Sequence, residues 1–90
     1  MAAIVLLRHS VADFAIWHRV YQSFEALRCK HACTLERVMG HTPGDPNDVV
    51  VLHEFPNLTL AQGFVDDPEL QRAMKASGVR APLRVEIFES

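Results

Sequence analysis

The stretch that decides the fold is DVVVLHEF, residues 48–55, which is the most apolar and β-branched run of the chain. Its four consecutive residues VVVL put apolar side chains on both faces of an extended segment, and β-branched residues favour strands. Such a run predicts a central strand that is covered on both sides. The strand ends with two ionisable residues, His53 and Glu54, so it also carries a candidate functional group.

The length of the chain and its apolar content together predict an oligomer. Residues 1–90 are enough for one domain, which at this size buries only about 60–65% of its unfolded surface. However, 49% of the residues are hydrophobic, which is more than a small monomer hides easily. We therefore expect a homodimer, in which a second copy covers the open face of the sheet.

Charge and cysteine content argue against several classes of protein. The net charge is −2 and the nine Lys and Arg residues are scattered, so no basic stripe is available for nucleic acid. The apolar residues 2–7 are too short for a signal sequence or a membrane span. Cys29 and Cys33 do not make a disulfide framework. We expect a cytoplasmic protein that binds neither nucleic acid nor membrane.

Three elements are predicted before the central strand. Residues 3–9 form an apolar first strand, and Asp13 is a candidate N-cap for a helix over residues 14–29. Residues 32–40 have mixed polarity, which favours an edge strand. Residues 41–47 contain two prolines and a glycine and are predicted to form a loop, through which the two strands join as a hairpin.

The helix over residues 14–29 has one wide apolar face when its residues are placed about 100° apart. Trp17 and Phe24 lie at the centre of this face, which also contains Phe14, Ile16, Val20, Tyr21 and Leu27. The pattern predicts that this face packs against the sheet.

Two helices and a strand are predicted after the central strand. Asn57 is a candidate N-cap for a short helix over residues 58–65. Asp67, followed by a proline, starts another helix, which Gly78 ends. Residues 83–89 alternate between apolar and polar side chains and predict a half-buried last strand.

The order of these elements, β-α-β-β-α(α)-β, predicts an α+β fold. Two split β-α-β units with right-handed crossovers give a ferredoxin-like βαββαβ domain. Its four-stranded antiparallel sheet has the strand order 4-1-3-2, and its helices lie on one face. In this order the strand at residues 48–55 lies between the first and second strands.

Three motifs resemble a known superfamily. LLRHSVADFAIW (residues 6–17) is similar to a first strand running into a helix, DPNDVVVLHEF (45–55) to a hairpin strand, and DPELQRAM (67–74) to a later helix. In these motifs the chain resembles the dimeric α+β barrel superfamily. In particular, it resembles the antibiotic biosynthesis monooxygenases of this superfamily and their uncharacterised cyclase-like relatives.

The resemblance implies a homodimer whose two sheets face each other as a barrel, with a cavity between each sheet and its own helices. Some members of the superfamily oxidise aromatic polyketides without metal or flavin, and others degrade haem. The haem-degrading members use a histidine in the later helical segment, and residues 58–77 contain none. This departure speaks against haem degradation, and the Asn and Trp pocket residues of the polyketide oxygenases have no clear match.

His53 is the first candidate catalytic residue. A histidine between Val51 and Phe55 on one strand face is desolvated, which lowers its pKa and leaves it neutral and able to act as a base. Tyr21, a second candidate base, and Arg28 lie on the facing side of the helix and could hold a phenolate or carboxylate. The alternative is a core or interface histidine that bonds to a neighbouring carbonyl.

A second candidate group consists of His9, Trp17 and His18, which would form an aromatic wall with two imidazoles. Phe24 joins them as a candidate ligand-binding residue. His9 and His53 each lie near the end of a strand, and these strands run antiparallel. We therefore expect the two histidines at opposite ends of the sheet, where they cannot pair. The alternatives are that His9 lies at a partly exposed strand end, that His18 is a surface histidine on the flank of the helix, and that the aromatic side chains only fill the core.

Cys29, His31 and Cys33 are possible metal ligands at alternate positions, and His53 could supply the fourth ligand. Two reduced cysteines at a junction between helix and strand are the simpler interpretation. We therefore expect no metal and no other cofactor.

Two functions from different classes fit these observations. The first is a cofactor-independent monooxygenase or cyclase-like enzyme that acts on a small aromatic or polyketide-like molecule. In it, His53 or Tyr21 removes a proton and O2 attacks the carbanion. The alternative is a non-catalytic dimer that binds a small apolar ligand or serves a structural role. An open cavity lined by His53, Tyr21 and Arg28 would favour the enzyme.

Overall fold

The structure, a computed structural model, describes residues 2–89, with side chains described for all of these except residues 40–42 and 81–83. The elements in chain order are β1 (Ala3–Val11), α1 (Phe14–Ser23), α2 (Glu25–Lys30), β2 (Leu35–Thr42), β3 (Asp45–Phe55), α3 (Leu58–Asp66), α4 (Pro68–Ala76) and β4 (Val79–Glu89). None of these helices is long and apolar enough to span a membrane.

The four strands form one antiparallel sheet in the order β2-β3-β1-β4. The predicted α+β fold and strand order are therefore confirmed. Alternate residues of β1 and β3 are buried under the helices, and the residues between them are half-buried or exposed on the opposite face. The prediction that β3 is covered on both sides holds for one side only within a single chain, because all the helices pack on one face.

Two groups of buried apolar side chains fill the space between the sheet and the helices. One group joins Val5 and Phe55 of the sheet to Phe64 of α3 and Leu70 of α4. The other is smaller and centres on Trp17 of α1, packed against Val11 of β1 and against Val49 and Val51 of β3. The space where the two groups meet is incompletely filled, and this gap is the cavity described below.

The predicted helix over residues 14–29 is two helices, with a break at Phe24. The carbonyl oxygen of Tyr21 accepts hydrogen bonds from the Phe24 backbone N–H, at 3.2 Å, and from Arg28 Nη1, at 2.8 Å. In a continuous helix this carbonyl would accept from the residue four positions later. The prediction of one helix is wrong because the Arg28 side chain takes the place of that backbone donor. Ile16, predicted on the apolar face, is 51% exposed.

The predicted loop over residues 41–47 is also wrong, because the connection is a two-residue turn at Pro43 and Gly44. Gly44 has φ +89°, and a proline followed by a glycine with positive φ is typical of a type II turn. The hairpin strands therefore continue to the turn. The register between β2 and β3 shifts twice, between Val38 and His41 and between His41 and Thr42.

Three predicted helix caps are confirmed. The side chain of Asp13 accepts a hydrogen bond from the Ile16 backbone N–H, at 3.2 Å, and Asn57 accepts one from Leu60, at 2.9 Å. Asp67 caps α4 in the same way. Each cap satisfies a donor that the first turn of a helix leaves unpaired. β1 and β4 are longer than predicted, which extends the sheet around the cavity.

Candidate functional site

A cavity lies between the sheet and the helices, as the resemblance implies. About 460 Å³ of empty space lies within it, part of which is open to solvent, and the cavity is narrow. Its walls are mainly apolar and aromatic, which is typical of ligand pockets. The residues that line it are Leu7, His9, Trp17, Val20, Tyr21, Phe24, Leu27, Arg28, Val51, His53, Phe64, Leu70, Ala73, Met74 and Ser77.

Strand parity places both sheet histidines in this cavity. Val5 pairs with His53 and His9 pairs with Val49, so both histidines occupy the alternate positions that face the helices. They are separated by four positions along the sheet, or roughly 13 Å. They do not pair, as expected. They lie toward opposite ends of the β1–β3 pairing, as expected, although β1 continues past His9 to Val11.

His53 is enclosed, with 1% of its surface exposed. Its Nε2 atom lies 3.0 Å from the hydroxyl of Tyr21. Its Nδ1 atom is buried and has no hydrogen-bond partner among the described residues. Burial, with a contribution from the positive charge of Arg28, lowers the pKa of His53 to about 4. The imidazole is therefore neutral at neutral pH and can accept a proton.

Tyr21 is bonded on two sides. Its hydroxyl donates a hydrogen bond to Glu36 Oε2, at 3.0 Å, and contacts His53 Nε2 at the same distance. Burial and the Glu36 carboxylate raise the pKa of Tyr21, and they outweigh the opposite effect of Arg28. The hydroxyl therefore keeps its proton at neutral pH, so a phenolate base is not available and Tyr21 serves as a hydrogen-bonding group.

Arg28 holds Tyr21 and Glu36 in place. Its guanidinium lies 4.2 Å from the centre of the Tyr21 ring, and its Nη1 atom donates to the Tyr21 carbonyl at 2.8 Å. Its Nε atom forms an ion pair with Glu36 Oε2. Arg28 is buried, whereas the Glu36 side chain is 43% exposed. We refer to Tyr21, Arg28, Glu36 and His53 as the Tyr21 cluster.

Glu36 is the member of the Tyr21 cluster that sequence reasoning missed. It lies on the edge strand β2 and is the direct cross-strand partner of His53. The sequence showed it only as one polar residue in a strand of mixed polarity. The hairpin register would have been the signal, but counting back from the turn gives a different partner because of the two register shifts.

The other end of the cavity is built on Trp17, which is almost fully buried. Its ring lies 5.7 Å from that of His9 and stacks on Tyr21 at 5.1 Å. Both ring nitrogens of His9 are buried without a hydrogen-bond partner among the described residues, and burial lowers the pKa of His9. Phe24 lines the same cavity. The aromatic rings thus connect His9 to His53 through Trp17 and Tyr21.

His18 lies apart from the other predicted site residues. Its ring stacks on Phe14 at 5.7 Å and on Trp17 at 6.3 Å, but it does not line the cavity. His18 follows Trp17 by one residue, and one residue is about 100° around a helix, so it points to the flank of α1. The structure therefore brings together every predicted site residue except His18.

The metal-binding alternative finds no support among the described residues, since no three His, Cys, Asp or Glu side chains are close enough to hold an ion. His31 turns toward α4, where its Nε2 atom lies 2.7 Å from Asp67 Oδ2, and its ring packs edge-on against Phe64. Cys33 donates from Sγ to the carbonyl of Leu35. Cys29 and Cys33 are free thiols, as the simpler interpretation predicted.

The fold is similar to several solved structures. SnoaB, a cofactor-independent oxygenase from Streptomyces nogalater, gives a TM-score of 0.79 at 11% identity, over 99% of this chain and 92% of that one. A protein from Bordetella bronchiseptica, provisionally named an antibiotic biosynthesis monooxygenase, gives 0.80 at 10% identity, over 99% and 96%. A Nitrosomonas europaea protein of unknown function gives 0.76 at 15%, over 99% and 88%.

These comparisons confirm the resemblance at the level of the fold, which is that of antibiotic biosynthesis monooxygenase-like proteins. No protein-family profile matches the chain, and no curated protein matches its sequence. Identities of 10–15% carry no information on substrate. The function must therefore be argued from the site.

Proposed function

We propose that the protein is a cofactor-independent monooxygenase that acts on a small aromatic, polyketide-like molecule. His53 removes a proton from the substrate, and the resulting carbanion reacts with O2 to form a peroxide. Loss of water from the protonated peroxide leaves a carbonyl group, so one oxygen atom enters the product and the other leaves as water. The observation that carries this proposal is a buried, neutral histidine with an unpartnered ring nitrogen, on the wall of an apolar cavity.

The shape and lining of the cavity suit a flat aromatic molecule. Trp17, Phe24 and Phe64 offer ring faces and edges for stacking, and the polar groups are confined to a few positions. The free space is narrow, so a substrate with one or two rings fits better than a large one unless side chains move. SnoaB shares the fold, and its description as a cofactor-independent oxygenase supports the same class of chemistry here.

Arg28, which pairs with Glu36, is the cation on the cavity wall that can stabilise an anion. Removal of a proton leaves a negative charge on the substrate, and Arg28 is the buried cation on the wall. In a site shielded from water such a charge is stabilised more strongly than at the surface. The same cation disfavours a positive charge on His53. Arg28 therefore favours the deprotonated substrate over a protonated histidine.

The test is turnover of a panel of one- and two-ring phenols and ketones, followed by O2 consumption. We expect His53→Gln to lower kcat by about 10²–10⁴, which is the usual contribution of a general base. His31→Gln is the matched control, because His31 is also partly buried and bonded but does not line the cavity. Its turnover should stay within about twofold of wild type. Unchanged turnover in His53→Gln would remove His53 from the mechanism.

We also propose that the protein is a homodimer formed through the outer face of the sheet, which the helices leave open. Ile4, Leu6 and Leu52 are half-buried there, and Leu35 and Phe88 are 58% and 49% exposed. These apolar side chains share the face with charged ones such as Glu54 and Glu86, a mixture that is typical of an interface. A second copy packed on it would bring the two sheets face to face.

Light scattering tests the dimer. The expected mass is about twice the 10.1 kDa of one chain. Leu52→Glu places a charge in the middle of the outer face and should give a monomer, because an unpaired buried charge costs several kcal/mol. Glu25→Gln, on the exposed side of α2, is the control and should stay dimeric. A wild-type mass near that of one chain would refute the interface.

A non-catalytic dimer that binds a small apolar ligand is the alternative function. The narrowness of the cavity favours it, since the aromatic side chains already fill much of the space between sheet and helices. This alternative predicts that aromatic ligands bind to the wild type, with no O2 consumed for any member of the panel.

A further inference from the structure

The hydrogen bonds of the Tyr21 cluster determine where the proton of His53 lies. A tyrosine hydroxyl has one hydrogen to donate, and two lone pairs to accept with. Glu36 Oε2 lies 3.0 Å from the Tyr21 hydroxyl, and a carboxylate can only accept. The hydroxyl hydrogen therefore points to Glu36, and the contact with His53 must be made by a lone pair of the tyrosine oxygen.

The direction of the Tyr21 hydroxyl determines which ring nitrogen of His53 carries the hydrogen. Because the Tyr21 oxygen accepts, the donor at 3.0 Å must be His53 Nε2–H. A neutral imidazole carries one ring hydrogen, so Nδ1 has none and presents a lone pair. The Nδ1 atom is buried and has no partner among the described residues, and the ring forms part of the cavity wall. A hydrogen-bond donor bound in the cavity would satisfy it.

Glu36 is well placed to impose this arrangement. It is the cross-strand neighbour of His53, so the sheet register sets their separation. Arg28 pairs with the Glu36 oxygen that accepts from Tyr21, which fixes the orientation of the carboxylate. The Glu36 side chain is 43% exposed, so this end of the hydrogen-bond chain is open to water, while the His53 end is closed.

We propose that Glu36, a positioning residue acting through Tyr21, holds His53 with its proton on Nε2, and that these three residues carry the substrate's proton from the cavity to the surface. The first half of this proposal rests on hydrogen-bond geometry alone. The second half rests on the proposed function, because it requires a substrate that gives up a proton.

The proton transfer balances without any other reactant. The substrate's bond to hydrogen breaks, its electron pair stays on the substrate, and a new N–H bond forms at His53 Nδ1. The proton on Nε2 passes to the Tyr21 oxygen, and the Tyr21 hydroxyl proton passes to Glu36 Oε2. The negative charge thus moves from Glu36 to the substrate. Transfer in the reverse direction protonates the peroxide anion and restores the starting state.

The energetics of the site explain why a chain of three residues is needed. If both ring nitrogens of His53 carried a proton, the ring would be a buried imidazolium next to Arg28. Burial and the positive charge of Arg28 disfavour this form. A Tyr21 phenolate is also disfavoured by burial. When the protons move together, neither charged form has to exist. The Glu36 carboxylate, at the exposed end, is the acceptor of the last proton transfer in this chain.

The arrangement also selects the substrate. A lone pair at Nδ1 pairs with an O–H, N–H or acidic C–H group, and repels the lone pairs of a carbonyl or ether oxygen. The ligand therefore presents a donor to this end of the cavity. Probes that differ only in this donor, such as 2-naphthol and its methyl ether, 2-methoxynaphthalene, can test this preference without turnover.

Nitrogen-15 NMR of the histidines in the intact protein tests the tautomer, because protonated and unprotonated ring nitrogens have distinct chemical shifts. We expect the wild type to show Nε2 protonated and Nδ1 unprotonated for His53. In Glu36→Gln the amide can donate to Tyr21, so the Nδ1-protonated form should appear. Glu25→Gln removes the same charge nearby and should leave the wild-type pattern. A wild type protonated at Nδ1, or an unchanged pattern in Glu36→Gln, would overturn the assignment.

Probe binding and turnover test the rest of the proposal. We expect wild type to bind 2-naphthol roughly tenfold more tightly than its methyl ether, and Glu36→Gln to lose most of this preference. With a substrate from the panel, Glu36→Gln should lower kcat about tenfold or more with little change in KM, and Glu36→Asp should recover part of it. Equal binding of the two probes, or binding of neither, contradicts the proposal, and so does an unchanged kcat in Glu36→Gln.

The outcomes separate this proposal from the proposed function. If the tautomer and the preference for 2-naphthol are found but no substrate consumes O2, the monooxygenase is wrong and the role of Glu36 in positioning His53 stands. If the wild type turns over substrate and Glu36→Gln is equally active with the same pH profile, the proton path is wrong and the monooxygenase stands.

Discussion

The two buried histidines of the cavity occupy similar positions in the sheet but differ in their hydrogen bonds. His53 and His9 lie on neighbouring strands, face the same helices and are both almost fully enclosed. His53 is bonded through Tyr21 to a carboxylate, whereas the ring nitrogens of His9 have no hydrogen-bond partner among the described residues and its ring packs on Trp17. Burial makes both histidines neutral, but the hydrogen-bond chain gives only His53 a defined tautomer. We therefore expect the ends of the cavity to differ in role, with His53 acting in proton transfer and His9 in binding.

The largest expected difference between the two ends concerns Tyr21. Tyr21→Phe removes the hydroxyl that joins His53 to Glu36 and keeps the ring that stacks on Trp17. We expect kcat to fall by about 10²-fold with little change in KM, because the proton path is cut while the walls of the cavity remain. Stopped-flow or O2-electrode measurement gives the rate.

The control for Tyr21→Phe lies at the other end of the cavity. Trp17→Phe also keeps an aromatic ring. Trp17 contacts the hydrogen-bond chain only by stacking on Tyr21, so this substitution should raise KM more than it lowers kcat. If Tyr21→Phe raised KM and left kcat unchanged, the hydroxyl would be a binding group and the comparison between the two ends would fail.

The next effect is the pH dependence of the free energy of unfolding, which the low pKa of His53 causes. The pKa of His53 is lowered from 6.5 to about 4 in the folded protein. Between these pH values the unfolded chain binds a proton at this position and the folded chain does not, so stability falls as pH falls. The loss is complete below about pH 4 and amounts to about 3 kcal/mol, since one pKa unit corresponds to about 1.4 kcal/mol.

Urea denaturation at several pH values measures this loss. His53→Gln should remove most of the pH dependence between about pH 6.5 and 4. His9→Gln should remove a part of it with the same sign, because burial lowers the pKa of His9 as well. A free energy of unfolding that rises on acidification through this range would contradict the buried, neutral state of both residues.

A smaller effect on stability is expected for Arg28, which lies at the His53 end of the cavity. Arg28→Met removes the bond to the Tyr21 carbonyl, the contact with the Tyr21 ring and the pair with Glu36. We expect a loss of about 2–3 kcal/mol in the free energy of unfolding, as is usual when a buried, bonded charge is removed. The pKa of His53 should rise, because the cation is one of the causes that lower it.

Thermal and urea denaturation give the stability, and an NMR titration of the histidine ring gives the pKa. Lys30→Met is the matched control, since Lys30 is a nearby cation whose partner is Asp67. It should leave the pKa of His53 unchanged. A pKa of His53 that stays the same in Arg28→Met would show that burial alone accounts for the low value.

The smallest effect is expected at the His9 end. His9→Phe fills the same space with an apolar ring, so folding should be retained. We expect KM to rise by about threefold and kcat to stay within about twofold of wild type, because His9 would contribute one weak contact to the distal part of the ligand. A loss of kcat as large as that of Tyr21→Phe would show that both ends take part in the chemistry.

Much of the candidate site could be predicted because its placement depends on periodicity. His53 follows from the alternation of a β-branched strand, and Tyr21 and Arg28 follow from the face of the helix after β1. The signals for these residues are local in sequence, so strand order and parity are enough to bring them to one cavity. His18 was grouped with the ligand-binding residues because aromatic residues surround it, although a position one residue from Trp17 lies on the flank of the helix and outside the cavity lining.

Glu36 and the break at Phe24 escaped prediction for a different reason. The position of Glu36 opposite His53 depends on two register shifts in the hairpin, and no turn residue marks those shifts. The break in the helix depends on a side chain, Arg28, competing with a backbone N–H for the carbonyl of Tyr21. The Arg28 side chain is also held by an ion pair with Glu36, which comes from another element.

The sequence by itself determined the order of the elements, the strand order and the face of the sheet on which the histidines lie. These features follow from hydrophobic periodicity, turn residues and helix caps, which act over a few residues. Only the tertiary structure decided the tautomer of His53, since this depends on a hydrogen-bond chain through α1, β2 and β3. Each bond of that chain requires distances near 3 Å between elements far apart in sequence, and such distances are set by packing and register.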